Sequence, residues 1–167
     1  ATTANMGPGY DCLGMALDVW NTIEVEIQGD GGSPDSGEAV VEVSGEGAGE
    51  LGTGRDNLVY RSMEFLFQEA GQDMPGVRIR CENDIPLARG MGSSAAAIAG
   101  GLVAANAICS HDFTPNDLLE MAATIEGHPD NVAAAVMGGL QLVIVDETDD
   151  GRKLYSVPVN VPPGLYA

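Results

Sequence analysis

From Trp20 to Ile27 the chain reads WNTIEVEI, in which Ile23, Val25 and Ile27 alternate with Thr22, Glu24 and Glu26. A period of two places the apolar side chains on one face of a strand and the carboxylates on the other. A shorter apolar stretch, Val40 to Val43, is expected to pair with it. From Asn57 to Ala70 the period lengthens: Leu58, Val59, Met63, Leu66 and Phe67 fall near helical spacing, and Gly71 supplies a stop. Val77 to Cys81 returns to a strand. The alanine-rich run from Ser93 to Cys109 predicts a helix. Thr114 to Ile125 predicts another, with Thr114 suited to the N-cap and Pro115 to the first turn. Gly139 to Val145 is again strand-like. The segments Gly29 to Gly37 and Gly45 to Gly54 have nothing to bury and read as surface connections.

Strands and helices mixed without regular βαβ alternation argue for an α+β architecture, a sheet with helices packed on one face. There is no internal repeat. With 167 residues and 44% hydrophobic content the chain can bury the core of one domain. It opens directly on ATTANMGPGYD and stops on PPGLYA, which reads as a piece of a longer protein.

Charge narrows the partners. Twenty-five acidic residues against seven basic ones give a net charge of -18, which repels nucleic acid and anionic membrane surfaces. Lys153 is the only lysine, and such a surface is what solubility at high salt favours. Cys12, Cys81 and Cys109 are few, odd in number and without metal or redox spacing, so buried thiols in a reduced, cytoplasmic setting are the economical reading. The longest apolar stretch, Ala95 to Ala107, is shorter than the ~20 residues of a membrane span.

Chemistry concentrates in three clusters. In PLARGMGSSAAA, Gly90 and Gly92 can turn successive N–H groups into one concavity, and the helix that follows brings its positive end and unpaired amides to the same place. A phosphate fits such a cradle. It is not the common P-loop, since Ser93 stands where that motif has lysine. A plain Gly-Ser cap on a packed helix is the structural alternative. The second cluster is Asn5-Met6-Gly7-Pro8-Gly9-Tyr10-Asp11, whose tight turn can bring an amide and a carboxylate together; a solvated Asx turn accounts for it equally well. The third is Glu126-Gly127-His128-Pro129-Asp130-Asn131. There Glu126 suits a hard cation such as Mg²⁺, while Asp130 and Asn131 can equally be a helix N-cap. His111, in a polar loop, reads as surface.

In order and wording, TTANMGPGYD, DNLVYRS, PLARGMGSSAAA and EGHPDNVAAAVMGG resemble the homoserine kinases of the GHMP small-molecule kinase superfamily, over essentially the whole chain. The resemblance implies a GHMP N-terminal nucleotide-binding domain spanning 1–167, truncated at its start and lacking the C-terminal domain. It implies ATP and Mg²⁺, with L-homoserine as phosphoryl acceptor, and a homodimer at full length. Residue by residue, it assigns Pro86, Leu87, Ala88, Arg89, Gly90, Met91, Gly92, Ser93, Ser94 and Ala95 to the nucleotide, with Gly90, Gly92, Ser93, Ser94 and Ala95 on its phosphates and Arg89 adding charge, and Asn57, Leu58 and Val59 to the adenine. Glu126 and Ser94 fall to Mg²⁺, and Asn5, Asp11, His128, Asp130 and Asn131 to homoserine. Asn131, Glu126 and Ser94 become the residues nearest the chemistry. Another small-alcohol kinase of the superfamily, of mevalonate or shikimate type, and a non-catalytic nucleotide-binding module are the competing readings.

Overall fold

The protein is described by a computed structural model covering residues 1–4, 6–7, 10–28, 41–148 and 151–161. Asn5, the loop at 29–37, Val40 and the closing PPGLYA lie outside the described residues. The elements in chain order are β1 (Thr2–Ala4), β2 (Leu13–Ala16), β3 (Asn21–Ile27), β4 (Val41–Gly45), α1 (Leu58–Glu69), β5 (Val77–Asn83), α2 (Ser93–Ile108), α3 (Pro115–Glu126), α4 (Pro129–Met137), β6 (Leu140–Thr148) and β7 (Gly151–Val159).

The mixed α+β architecture is as the sequence leads one to expect, but the strands divide between two sheets, β3-β5-β4 and β1-β2-β6-β7. Within the first, β4 does not pair with β3. It runs parallel to β5, which separates it from the antiparallel β3. Cross-strand charge is consistent with this order. Arg80 stands opposite Glu24 on one side and Glu42 on the other, and its guanidinium lies 3.9 Å and 3.4 Å from those carboxylates. Placing β3 directly beside β4 would set glutamate against glutamate, a repulsive cross-strand arrangement. The other face of β5 carries Val77, Ile79 and Cys81, all buried. Burial pushes the Cys81 thiol pKa up, while Cys12 and Cys109 are only partly buried.

The central element is α2, which touches α1, α3 and α4. Alanine and glycine dominate its sequence, so neighbours approach closely. A Cβ on Gly101 would lie 2.6 Å from the Val59 carbonyl oxygen, and one on Gly100 2.4 Å from Ile23 Cδ1. Its own Ile98 and Leu102 pack with Met63, Leu66, Ile79, Leu119 and Val132 in the core.

The helix ends follow local chemistry. Asn57 caps α1 by accepting from Val59 N at 2.9 Å. At α3, Thr114 Oγ1 accepts from Asp117 N while the Asp117 carboxylate accepts from Thr114 N, a complete capping box with Pro115 in the first turn. Donation from the Thr114 hydroxyl, at 2.7 Å, and from its backbone N–H holds the Asp117 carboxyl below its usual range. The short strands β1 and β2, the hairpin strand β7 and the short helix α4 escape a periodicity reading. Among the described residues, no helix is long and apolar enough to cross a membrane.

Candidate functional site

The loop before α2 folds with alternating left-handed residues: Ala88 at φ 53°, Gly90 at 71° and Gly92 at 64°. Gly92 is the N-cap of α2 and offers no side-chain acceptor, so the amides of Ser93, Ser94 and Ala95 open the helix without a side-chain cap. A sixteen-residue helix ending in uncapped amides presents partial positive charge to an anion. The two glycines serve different ends. In front of Gly90 there is open space, with no atom within 4 Å of a built Cβ, whereas at Gly92 that Cβ would lie 1.9 Å from Thr2 Oγ1. Arg89 is exposed beside the loop, Pro86 is partly buried ahead of it, and the Ala95 side chain lies in the core.

Behind the cradle lies a cavity of about 250 Å³, lined by Ile23, Val43, Leu51, Leu58, Val59, Cys81 and Leu87 together with Ser93 and Ser94. The candidate base residues Asn57, Leu58 and Val59 and the candidate phosphate serines thus share one space. Asn57 lines it with its side chain already engaged, since Nδ2 donates to the Gly52 carbonyl at 2.7 Å while Oδ1 caps α1. Its contribution is the shape of the wall. Asn21, Asn83 and Asp56 also line the cavity, and the sequence reading does not single them out.

Ser94 and Glu126 come together from opposite helix ends. Ser94, in the first turn of α2, donates to Glu126 Oε1 at 2.6 Å, and Glu126 is the last residue of α3. Left-handed Gly127, at φ 88°, then turns the chain so that α4 starts at once. Among the described residues no cluster of three or more His, Cys, Asp or Glu forms. A cation at Glu126 would have one carboxylate and one hydroxyl from the protein, a donor set that suits Mg²⁺ held jointly by protein, phosphate oxygens and water.

The third cluster is the start of α4. His128 is its N-cap residue, exposed and without a side-chain cap bond, so neither Asp130 nor Asn131 is the N-cap: both lie inside the first turn after Pro129. Asp130 is 3% exposed and its Oδ1 accepts from Asn131 N at 2.7 Å. Strand β2 crosses this turn so closely that a Cβ on Gly14 would sit 2.0 Å from the Asp130 carbonyl oxygen. Asp11, exposed at φ 56°, belongs to the turn that feeds β2. Asn131 is partly buried, and its Oδ1 accepts from Thr2 Oγ1 at 2.9 Å. Thr2 also donates its backbone N–H to the Met91 carbonyl at 3.0 Å. Nothing in the sequence marks Thr2, because a threonine in a strand is ordinary; only the folded chain sets it between the cradle and Asn131. His111 is exposed, as expected, and stacks on Phe113.

In sequence and fold the chain is similar to known proteins. Residues 57–139 match the GHMP kinases N terminal domain. Over 165 residues the chain is 41% identical to a homoserine kinase of Moorella thermoacetica, covering 99% of this chain and 52% of that protein. Over 144 residues it is 44% identical to one of Synechocystis, covering 86% and 46%. The crystal structure of homoserine kinase from Cytophaga hutchinsonii superposes with a TM-score of 0.72 at 28% identity, over 96% of this chain and 50% of that one. The chain spans about half the length of the curated relatives it matches. Sequence and fold agree: residues 57–139 of this chain are a GHMP kinase N-terminal domain.

Proposed function

We propose that the chain is the nucleotide-binding part of a homoserine kinase, which transfers the γ-phosphoryl group of ATP to the side-chain hydroxyl of L-homoserine. The observation that carries this reading is the Ser94–Glu126 hydrogen bond of 2.6 Å. It joins the phosphate cradle to a carboxylate beside an apolar cavity, as a kinase acting on a magnesium nucleotide needs. The first-turn amides of Ser93, Ser94 and Ala95 take the phosphate oxygens, and Arg89 adds charge from the loop. The adenine occupies the cavity bounded by Asn57, Leu58 and Val59. Mg²⁺, held by Glu126 and Ser94, supplies charge neutralisation at the phosphates. Asp11, His128 and Asn131, with Asn5 from the opening segment, bind the amino acid, and buried Asp130 holds the turn that carries Asn131. A loose phosphoryl transition state asks mainly for alignment and charge neutralisation, so an asparagine at the acceptor hydroxyl suffices where other kinases place a base.

The test is ATP-dependent phosphorylation by the product of the whole natural reading frame, with Mg²⁺, on homoserine, mevalonate and shikimate in parallel. Turnover of homoserine alone is expected. Turnover of another alcohol without homoserine would overturn the substrate, and ATP binding without transfer to any of them would make this a non-catalytic nucleotide module.

A further inference from the structure

We propose that Thr2 is a positioning residue of the transfer site: its hydroxyl fixes the orientation of the Asn131 amide and ties that orientation to the phosphate loop. The proposal rests on the reading of Asn131 as a contact of the acceptor hydroxyl. Thr2 is 1% exposed, so its hydroxyl has no water to satisfy it, and its hydrogen bond goes to Asn131 Oδ1 at 2.9 Å. An asparagine amide has one accepting and one donating end. With the oxygen end held by Thr2, the NH₂ end is the one left to meet a substrate, so Asn131 acts as a hydrogen-bond donor. A donor aimed at the acceptor hydroxyl orients the attacking oxygen and removes no proton.

The second tie runs to the cradle. Thr2 N donates to the Met91 carbonyl at 3.0 Å, and Thr2 Oγ1 occupies the space that a side chain at Gly92 would take, 1.9 Å from a built Cβ. The same residue therefore sets the approach of the loop through its backbone and of Asn131 through its side chain. Changing only the hydroxyl separates the two. Thr2→Val keeps the shape and the backbone bond while removing the donor, and Thr2→Ser keeps the donor.

The experiment uses the full-length protein with Thr2→Val, Thr2→Ser, Asn131→Ala and the Thr2→Val/Asn131→Ala double variant, each checked for an unchanged circular dichroism spectrum. Thr2→Val is expected to lower kcat about tenfold with ATP Kd within about twofold of the parent, as befits an interaction made in the transition state. Thr2→Ser should restore most of the rate, and the double variant should be no slower than Asn131→Ala, because the two act as a unit. Parent-like kcat in Thr2→Val, or losses that multiply in the double variant, would overturn the proposal. A readout free of turnover accompanies it: the side-chain amide resonances of Asn131, assigned by their loss in Asn131→Ala, should move in Thr2→Val and stay in Thr2→Ser. If they move while homoserine is not a substrate, the substrate reading fails and the positioning stands. If they do not move, Thr2 does not hold the amide, whatever the substrate.

Discussion

Gly92 carries two constraints at one position. Its backbone is left-handed at φ 64°, and a Cβ there would collide with Thr2 Oγ1 at 1.9 Å. Gly92→Val is therefore expected to weaken ATP binding by at least about tenfold, from strain in a left-handed residue combined with displacement of the loop. Isothermal titration calorimetry checks it, and parent-like affinity would remove the cradle from the nucleotide site. At Glu126 the expected signature is different. Glu126→Gln keeps the shape and a hydrogen bond to Ser94 but removes the charge, so the Mg²⁺ concentration for half-maximal rate should rise several-fold while ATP affinity without metal changes little. A Mg²⁺ titration of the rate distinguishes this from a general loss of activity. Both residues stand out in the sequence by their chemistry, a glycine opening a helix N-terminus and a carboxylate suited to a hard cation. Thr2 does not, because its importance lies wholly in what it touches.

At the scale of elements, the α3 capping box and the α1–α2 contact are each open to a direct test. Thr114→Ala removes the side-chain acceptor for Asp117 N and is expected to cost about 1 kcal/mol, read from urea unfolding. The pH dependence has a definite sign. Asp117 is held below its ordinary range by its bonds from Thr114, so its contribution is present above the unfolded carboxylate pKa and is lost as pH falls through the lowered folded value. Thr114→Ala should therefore lose less stability than the parent on acidification across that window. In α2 the two adjacent glycines should respond unequally. Gly101→Ala forces a Cβ to within 2.6 Å of the Val59 carbonyl, and backbone cannot yield easily, so a loss of about 1–3 kcal/mol is expected. Gly100→Ala meets only the Ile23 Cδ1 methyl, at 2.4 Å, which can rotate away, and its loss should be smaller. Equal losses would mean that α1 does not constrain α2.

For the whole molecule the dominant quantity is the charge of -18. The ion pairs of Arg78 and Arg80 with Glu24 and Glu42 lie on the exposed face of β3-β5-β4, where such pairs contribute little. Repulsion among the remaining carboxylates is long-range at low ionic strength and is screened as the Debye length falls from about 10 Å at 0.1 M salt to about 3 Å at 1 M. The melting temperature is expected to rise between low and molar KCl. A flat profile would show that the acidic surface does not set stability.

What the sequence by itself determined is local. Local signals, namely the periods of β3 and α1, the apolar runs of β5 and β6, the alanine-rich run of α2 and the Thr-Pro start of α3, placed these elements to within a few residues, since they depend only on neighbours along the chain. The loop before α2 and the Glu126 and Asn131 cluster were legible for the same reason: each is a contiguous run of residues whose types already state their chemistry. Strand order was not legible. Whether β4 lies beside β3 or β5 depends on pairing between residues far apart in the chain, which no local period carries. The short strands β1 and β2 carry too few residues for a period, and they exist because β6 and the start of α4 give them partners. The joining of the clusters is likewise tertiary. Ser94 meets Glu126, and Thr2 meets Asn131, only because four packed helices bring distant helix and strand ends to one place.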